Sequence, residues 1–188
     1  MTLTLYSWLM WAIQPLLRSK LRRRGLKEPG YLEHIEERFG IYTTPIKTQT
    51  QEPSAAKTCV WVHAVSLGET RAAEVLLHAL RAEYPAIRIV LTHGTATGRA
   101  LGASLLKEGD VQVWQPWDTP AIVQRFLQHF QPQLAVVLET EIWPNWVAQC
   151  KHSNIPMVLV NARMSEKSML SAQRLAWLSG PAYAGLNG

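Results

Sequence analysis

From Cys59 onward the sequence alternates short, nearly continuous apolar runs with stretches of helical periodicity, and this alternation restricts the fold more than any other feature. The runs are "CVWVHAV" (59–65), "IRIVLT" (87–92), "LAVVLE" (134–139) and "PMVLVN" (156–161), with a weaker "VQVW" at 111–114. Strands that are apolar on both sides belong to a sheet covered on both faces, and such sheets are parallel. Between the first two runs, Ala72, Val75, Leu76, Ala79 and Leu80 recur at helical spacing. After "WDTP", Ile122, Val123, Phe126, Leu127 and Phe130 do the same. The reading is a doubly wound α/β domain. A chain of 188 residues with 47% hydrophobic content can bury such a core in one domain, with room for an appendage.

Doubly wound sheets bind ligands at the carboxyl ends of their strands. Those ends read "SLGE", "THGTATGR", "QPWD", "ETEIWPN" and "NARMSEKS", so polar, glycine-containing and charged residues collect on one rim. Ser66 and Glu69 have the S-x-x-E spacing of a capping box, in which both side chains satisfy free N–H groups at a helix start. Glu69 also suits a general base facing a cleft, with Gly68 letting a ligand approach the backbone, and both options stay open at this point. The "THGTATGR" turn, with Thr95, Thr97 and Gly98, offers backbone N–H groups to an anion but matches neither standard nucleotide-binding glycine pattern. His93, at the strand end within it, reads as a hydrogen-bonded bystander. Glu139 and Glu141 end a strand expected to be buried, which requires a partner or a task. Arg163, at the end of the following strand, is the available ion-pair partner; catalysis is the other option. Cys59 and Cys150 have neither disulfide nor metal-ligand spacing and read as reduced core residues.

The net charge of +5 is not spread over the domain. Arg18, Lys20, Arg22, Arg23, Arg24 and Lys27 all precede the first acid, Glu28, leaving 13 basic against 14 acidic residues elsewhere. A nearly neutral globular part argues against a nucleic-acid partner. The basic cluster directly follows "LTLYSWLMWAIQPLL" (3–17), an apolar stretch holding Trp8 and Trp11. It is shorter than the roughly 20 residues of a spanning helix, and its charge lies on the wrong side for a cleaved leader. A membrane-anchoring helix over residues 1–27 is expected, as a short signal anchor or an interfacial helix on anionic headgroups. Either places the remainder on the cytoplasmic side. Residues 28–58 read as a helix over "GYLEHIEERFG" followed by a polar, proline-containing linker.

Taken together and in order, "HAVSLGET", "THGTATG", "ETEIWPN" and "NARMSEKS" resemble the bacterial lipid A Kdo transferases, Kdo being 3-deoxy-D-manno-octulosonic acid. The resemblance extends to the apolar N-terminus, "ERFG" (37–40) and "QPWD", and runs to about residue 170. His93 and Gly94 depart from it, since the family usually carries Thr and a bulkier residue there. The resemblance implies two Rossmann-like halves of the GT-B type, of which residues 59–175 form the acceptor-binding domain. Residues 176–188 then begin the connection to a donor half lying beyond this sequence. It further implies transfer of Kdo from CMP-Kdo to the lipid A precursor (lipid IVA), inverting, without metal or cofactor, at the cytoplasmic face of the bacterial inner membrane. On it, Glu69 is the base that deprotonates the acceptor hydroxyl and Glu139 stabilises the transition state. Ser66, Gly68, Thr95, Thr97, Gly98, Glu141, Asn161, Arg163 and Ser165 are the expected substrate-binding residues. Two other readings are a non-catalytic membrane module that holds lipid A precursor or a partner, and a different GT-B enzyme such as a sugar-nucleotide epimerase.

Overall fold

Every apolar run becomes a strand: β1 (Cys59–His63), β2 (Arg88–His93), β3 (Val111–Trp114), β4 (Leu134–Leu138) and β5 (Met157–Val160). The computed structural model describes residues 2–43, 58–139, 142–163, 173 and 176–187. The five strands form one parallel sheet in the order β3-β2-β1-β4-β5. Trp61 sits opposite Val90 on one side and Ala135 on the other, so β1 is central. The chain moves outward from β1 to β3 and then returns to the far side of β1 with β4. The direction therefore reverses between β1 and β4, and their carboxyl ends flank the crevice where such sheets take ligands.

Helices α3 (Leu67–Glu83) and α4 (Ala96–Ala103) cover one face of the sheet. Ala73 and Leu77 of α3 pack there on Val60, Val62, Ile89, Leu91, Val136 and Leu138. Helices α5 (Pro120–Phe130) and α6 (Pro144–His152) cover the other. There Phe126, Phe130 and Trp146 pack on Trp61, Val90, Ala135 and Val137. The expected inner stripe of α5 is buried throughout. That of α3 is not: Thr70, Ala73 and Leu77 face inward, whereas Val75 is 73% exposed. The apolar residues of this alanine-rich helix span two neighbouring stripes. The cap at Ser66, with Glu69 turned inward, decides which one meets the sheet.

The helix expected over "GYLEHIEERFG" is instead two 3₁₀ turns, Pro29–Tyr31 and Ile35–Phe39. His34 at φ 50° separates them, and the left-handed conformation stops helix propagation. What the segment gains is a tertiary anchor. Glu37 Oε2 accepts from Arg99 Nη1 at 2.8 Å and from the Trp114 backbone N–H at 2.8 Å. Arg38 lies 3.9 Å over the Trp114 ring and donates from Nη2 to Gly94 O at 3.0 Å. "ERFG" is thus a clamp on the end of β3 and on the "THGTATG" turn. Of the linker that follows, residues 44–57 lie outside the described residues.

The apolar N-terminus forms α1 (Thr2–Ala12) and α2 (Gln14–Gly25), both docked on the domain. Leu21 is buried with Tyr31, Phe39 and Trp114, and Trp117 Nε1 donates to Met10 O at 2.8 Å. Leu5, Trp8, Leu9, Trp11 and Leu16 face outward, 57–71% exposed. Among the described residues no helix is long and apolar enough to cross a membrane. After β5, α7 (Ala176–Ala184) buries Ala182 in the core. Asn187 then exchanges hydrogen bonds with Met157, its N–H donating to Met157 O at 2.8 Å and its Oδ1 accepting from Met157 N at 3.0 Å. That pair occupies the outer edge of β5.

The α3 register generates a direct contrast. Leu77→Ala should lose about 2–5 kcal/mol of unfolding free energy, and Val75→Ala less than about 0.5 kcal/mol, in urea denaturation of the full chain.

Candidate active site

Strand β1 stops pairing at His63 and the chain must turn within three residues to start α3. Ser66 adopts an extended conformation (φ −110°, ψ 172°), and its hydroxyl accepts from the Glu69 N–H at 3.3 Å. Glu69 reaches back: Oε2 accepts from the Val65 N–H at 2.8 Å, and Oε1 accepts from the Ser66 hydroxyl at 2.9 Å. The capping box is real, and Glu69 is 7% exposed, with a donor on each carboxylate oxygen. Each oxygen keeps a further lone pair, so the cap and a proton-accepting role are compatible. A side chain at Gly68 would meet only the Ser66 Oγ, at 3.9 Å, so packing does not require glycine there. Its effect is to leave the backbone ahead of Glu69 uncovered.

The "THGTATG" turn is fastened to the same point. Val65 O accepts from the Gly94 N–H at 3.2 Å, the Thr95 N–H at 3.0 Å and the Thr95 hydroxyl at 3.0 Å. Thr95 also caps α4, accepting from the Gly98 N–H at 3.1 Å. Gly98 is buried, and a Cβ there would lie 3.0 Å from Val65 O, so its glycine is explained by packing. Thr97 is exposed.

At β4, Glu139 takes φ 60°, and Asn161, ending the neighbouring β5, takes φ 51°. A left-handed glutamate is uncommon and costs on the order of 1–3 kcal/mol, and such positions cluster at functional sites. The half-buried Glu139 is held by its own N–H, which donates to Val160 O at 3.0 Å. Arg163 is exposed, and the ion pair anticipated between it and Glu139 is not formed. Glu141 and Ser165 lie outside the described residues. The sheet order thus brings Glu69 and Glu139 to the ends of adjacent strands, with Asn161 one strand further out.

Two groups escaped the sequence reading. The first is Asp118 of "QPWD", 1% exposed. Its carboxylate accepts from the Tyr6 hydroxyl at 2.8 Å, the Asn145 N–H at 3.2 Å and the Trp146 N–H at 3.0 Å. Burial outweighs these donors and pushes its carboxyl up to about 7. The second is His63, buried beneath the rim near His93. His63 Nδ1 lies 2.8 Å from the Thr92 hydroxyl, and His93 Nδ1 donates to Ala64 O at 2.9 Å. Burial holds His63 down to about 3 and His93 down to about 4. His93 is the hydrogen-bonded bystander the sequence suggested. The only available signal for Asp118 was its place at a strand end; nothing pointed to Tyr6 as its partner. A groove of about 650 Å³ opens beside this hub, lined among others by Leu3, Trp8, Trp11, Pro120 and Gln149.

A central parallel strand with a carboxylate at its end, a second carboxylate across the switch point, and helices on both faces define a Rossmann-like α/β domain of the GT-B type. UDP-N-acetylglucosamine 2-epimerase shares this fold, with a TM-score of 0.51 at 12% identity over 71% of this chain and 39% of that one. The family model described as 3-deoxy-D-manno-octulosonic-acid transferase (kdotransferase) matches residues 33–187, and the chain belongs to this family of glycosyltransferases. The 3-deoxy-D-manno-octulosonic acid transferase of Bordetella pertussis is 37% identical over 97% of the chain and 42% of the relative's length. That of Haemophilus influenzae is 33% identical over 87% of the chain and 36% of the relative. A probable mitochondrial one from Arabidopsis thaliana is 32% identical over 87% and 35%. The chain therefore spans about two-fifths of the length of these relatives.

The buried ionisable groups set a pH dependence. Between pH 4 and 6.5 the unfolded chain binds protons at His63 and His93 that the native state refuses, while the native state keeps one on Asp118 that the unfolded chain has released. The unfolded state holds a net excess of about one proton, so stability should fall by about 1.4 kcal/mol per unit as pH drops from 6.5 toward 4. In His93→Gln the excess vanishes and urea midpoints measured across this range should be nearly flat.

Proposed function

We propose that this chain is the acceptor-binding half of an enzyme that transfers Kdo from CMP-Kdo to the lipid A precursor lipid IVA at the cytoplasmic face of the bacterial inner membrane. The observation that carries the reading is the pair Glu69 and Glu139 at the ends of adjacent strands β1 and β4, in a member of the Kdo transferase family. In this reading Glu69 takes the proton of an acceptor sugar hydroxyl. The freed oxygen bonds to the anomeric carbon of Kdo, and the bond to the CMP phosphate breaks with its electron pair leaving on CMP. Attack from the face opposite the leaving group inverts the anomeric centre. The carboxylate of Glu139 stabilises the positive charge that develops on the sugar ring. Ser66, Thr95, Thr97, Asn161 and Arg163 line the acceptor side in this reading. No step is routed through a metal or cofactor. CMP-Kdo is held mainly by the donor half of the enzyme.

A lipid acceptor is favoured over a soluble one by the outward apolar face of α1 and by Lys20, Arg22, Arg23 and Lys27, which are exposed and form no ion pair among the described residues. Apolar side chains beside unpaired cations suit the interface of an anionic leaflet. This also separates the proposal from an epimerase acting on a soluble sugar nucleotide. A non-catalytic lipid-holding module would share the apolar face but would not need a strained Glu139.

Two measurements test the reading. Joined to the part of the Bordetella pertussis relative that follows its matched segment, the chain should make Kdo-lipid IVA, followed by mass spectrometry. Glu69→Gln should then lower kcat about 10²- to 10⁴-fold with little change in melting temperature, because glutamine still fills the third helical position of the cap. Turnover within a few-fold of the parent would leave Glu69 as a cap alone. Separately, changing Lys20, Arg22 and Arg23 together to Gln should weaken partitioning onto anionic vesicles by about 100-fold, at roughly 1 kcal/mol per charge.

A further inference from the structure

Helix α6 opens without a cap of its own. The Trp143 side chain makes no hydrogen bond to the N–H groups of the first turn, and Pro144 at the first position has no N–H. The two free donors of the first turn, the Asn145 and Trp146 N–H groups, both go to Asp118, one to each carboxylate oxygen. Asp118 O also accepts from Asn145 Nδ2 at 2.8 Å. A residue from a different βα turn thus supplies the whole N-terminal cap of α6. No Lys, Arg or His stands within ion-pair distance of Asp118 among the described residues, so these donors are what hold the buried carboxylate.

Helix α1 completes the same hub. The Tyr6 hydroxyl donates to Asp118 Oδ2 at 2.8 Å, the oxygen that also takes the Asn145 N–H. The Ser7 hydroxyl lies 2.9 Å from Asn145 Oδ1 and 2.8 Å from Leu3 O, sharing one proton between them. Two consecutive residues of α1 therefore end on the cap of α6, whose first residue follows the left-handed Glu139 by five positions. α1 also presents Leu5 and Leu9 to solvent, while the exposed Trp8 and Trp11 line the groove beside this hub together with Ser7 and Asn145.

We propose that Asp118 is a positioning residue that couples the seating of α1 to the start of α6, so that what α1 rests on is transmitted to the strand end carrying Glu139. The coupling itself needs no knowledge of the reaction; its service to Glu139 rests on the Kdo-transfer reading. Losing α1 leaves Asp118 with one donor fewer in a site closed to water, which loosens the remaining bonds to the Asn145 and Trp146 amides. Tyr6 and Ser7, polar residues in a largely apolar α1, have their reason here.

Tyr6→Phe removes one hydroxyl from α1 and alters nothing on α6, so a purely local contact would disturb α1 alone. Amide hydrogen exchange on the full chain without lipid should show the Asn145 and Trp146 amides exchanging about tenfold faster in Tyr6→Phe, with α3 within about twofold of the parent. Unchanged exchange at those two amides, whether or not α1 itself speeds up, overturns the coupling. Asp118→Asn should raise exchange at the same amides further; should that variant fail to fold, Tyr6→Phe alone decides. A second arm adds phosphatidylcholine vesicles containing roughly one-third phosphatidylglycerol. Parent chain bound to them should slow exchange at Asn145 and Trp146, and Tyr6→Phe should bind without slowing it. If the parent fails to bind, the membrane reading falls, and the lipid-free arm still decides the coupling.

Discussion

The backbone of Val65 is where the sheet, both flanking turns and the candidate base meet. A central parallel strand that stops inside a protein leaves an N–H and a C=O with no water to take them, and each must find a partner. The Glu69 carboxylate takes the Val65 N–H, and the Gly94 and Thr95 N–H groups with the Thr95 hydroxyl take the Val65 carbonyl. The same economy recurs along the rim. Glu37 accepts from the Trp114 N–H at the end of β3, and the Glu139 N–H donates to Val160 at the end of β5. The rim motifs are therefore first of all solutions to a backbone problem, and the polar side chains that solve it are the ones left facing the crevice.

This makes the cap compatible with the proposed role of Glu69 as a base. Capping and proton acceptance use different lone pairs of Glu69, and the cap fixes the carboxylate in one rotamer beside the uncovered backbone at Gly68. A base held in this way loses no freedom when substrate arrives. Glu139 is fixed differently, by a left-handed backbone that ends the extended course of β4. The strain is tolerated because the sheet on either side is fully paired.

The N-terminal helices add a third layer to this frame. α2 is tied by Leu21, and by Arg18 and Arg24 lying over Phe39 and Tyr31, while α1 is tied by polar contacts to Asp118. Cations closest to the domain are thus spent on aromatic rings and on Glu36 and Glu28, and the outer ones remain in solvent. One short segment carries an inward structural face and an outward apolar and basic face.

The sequence alone determined the parallel α/β class, the rim motifs and the capping box at Ser66 and Glu69, because apolar run length and short-range spacing are local quantities. The inner face of α5 was legible for the same reason, its stripe being unambiguous. The stripe of α3 was not, since alanine is indifferent to burial and the helix was turned by its cap. "GYLEHIEERFG" looked helical in isolation, yet Glu37 and Arg38 gain more from Trp114, Arg99 and Gly94, partners more than 50 residues away, than from a local helix. Strand order likewise lay beyond the sequence: nothing local says that β4 pairs with β1, and only that pairing puts the turn to Glu69 and the strand end carrying Glu139 on neighbouring strands. Asp118 stayed hidden for the plainest physical reason. A buried carboxylate is defined by its donors, and Tyr6, Asn145 and Trp146 come to it only when the chain has folded.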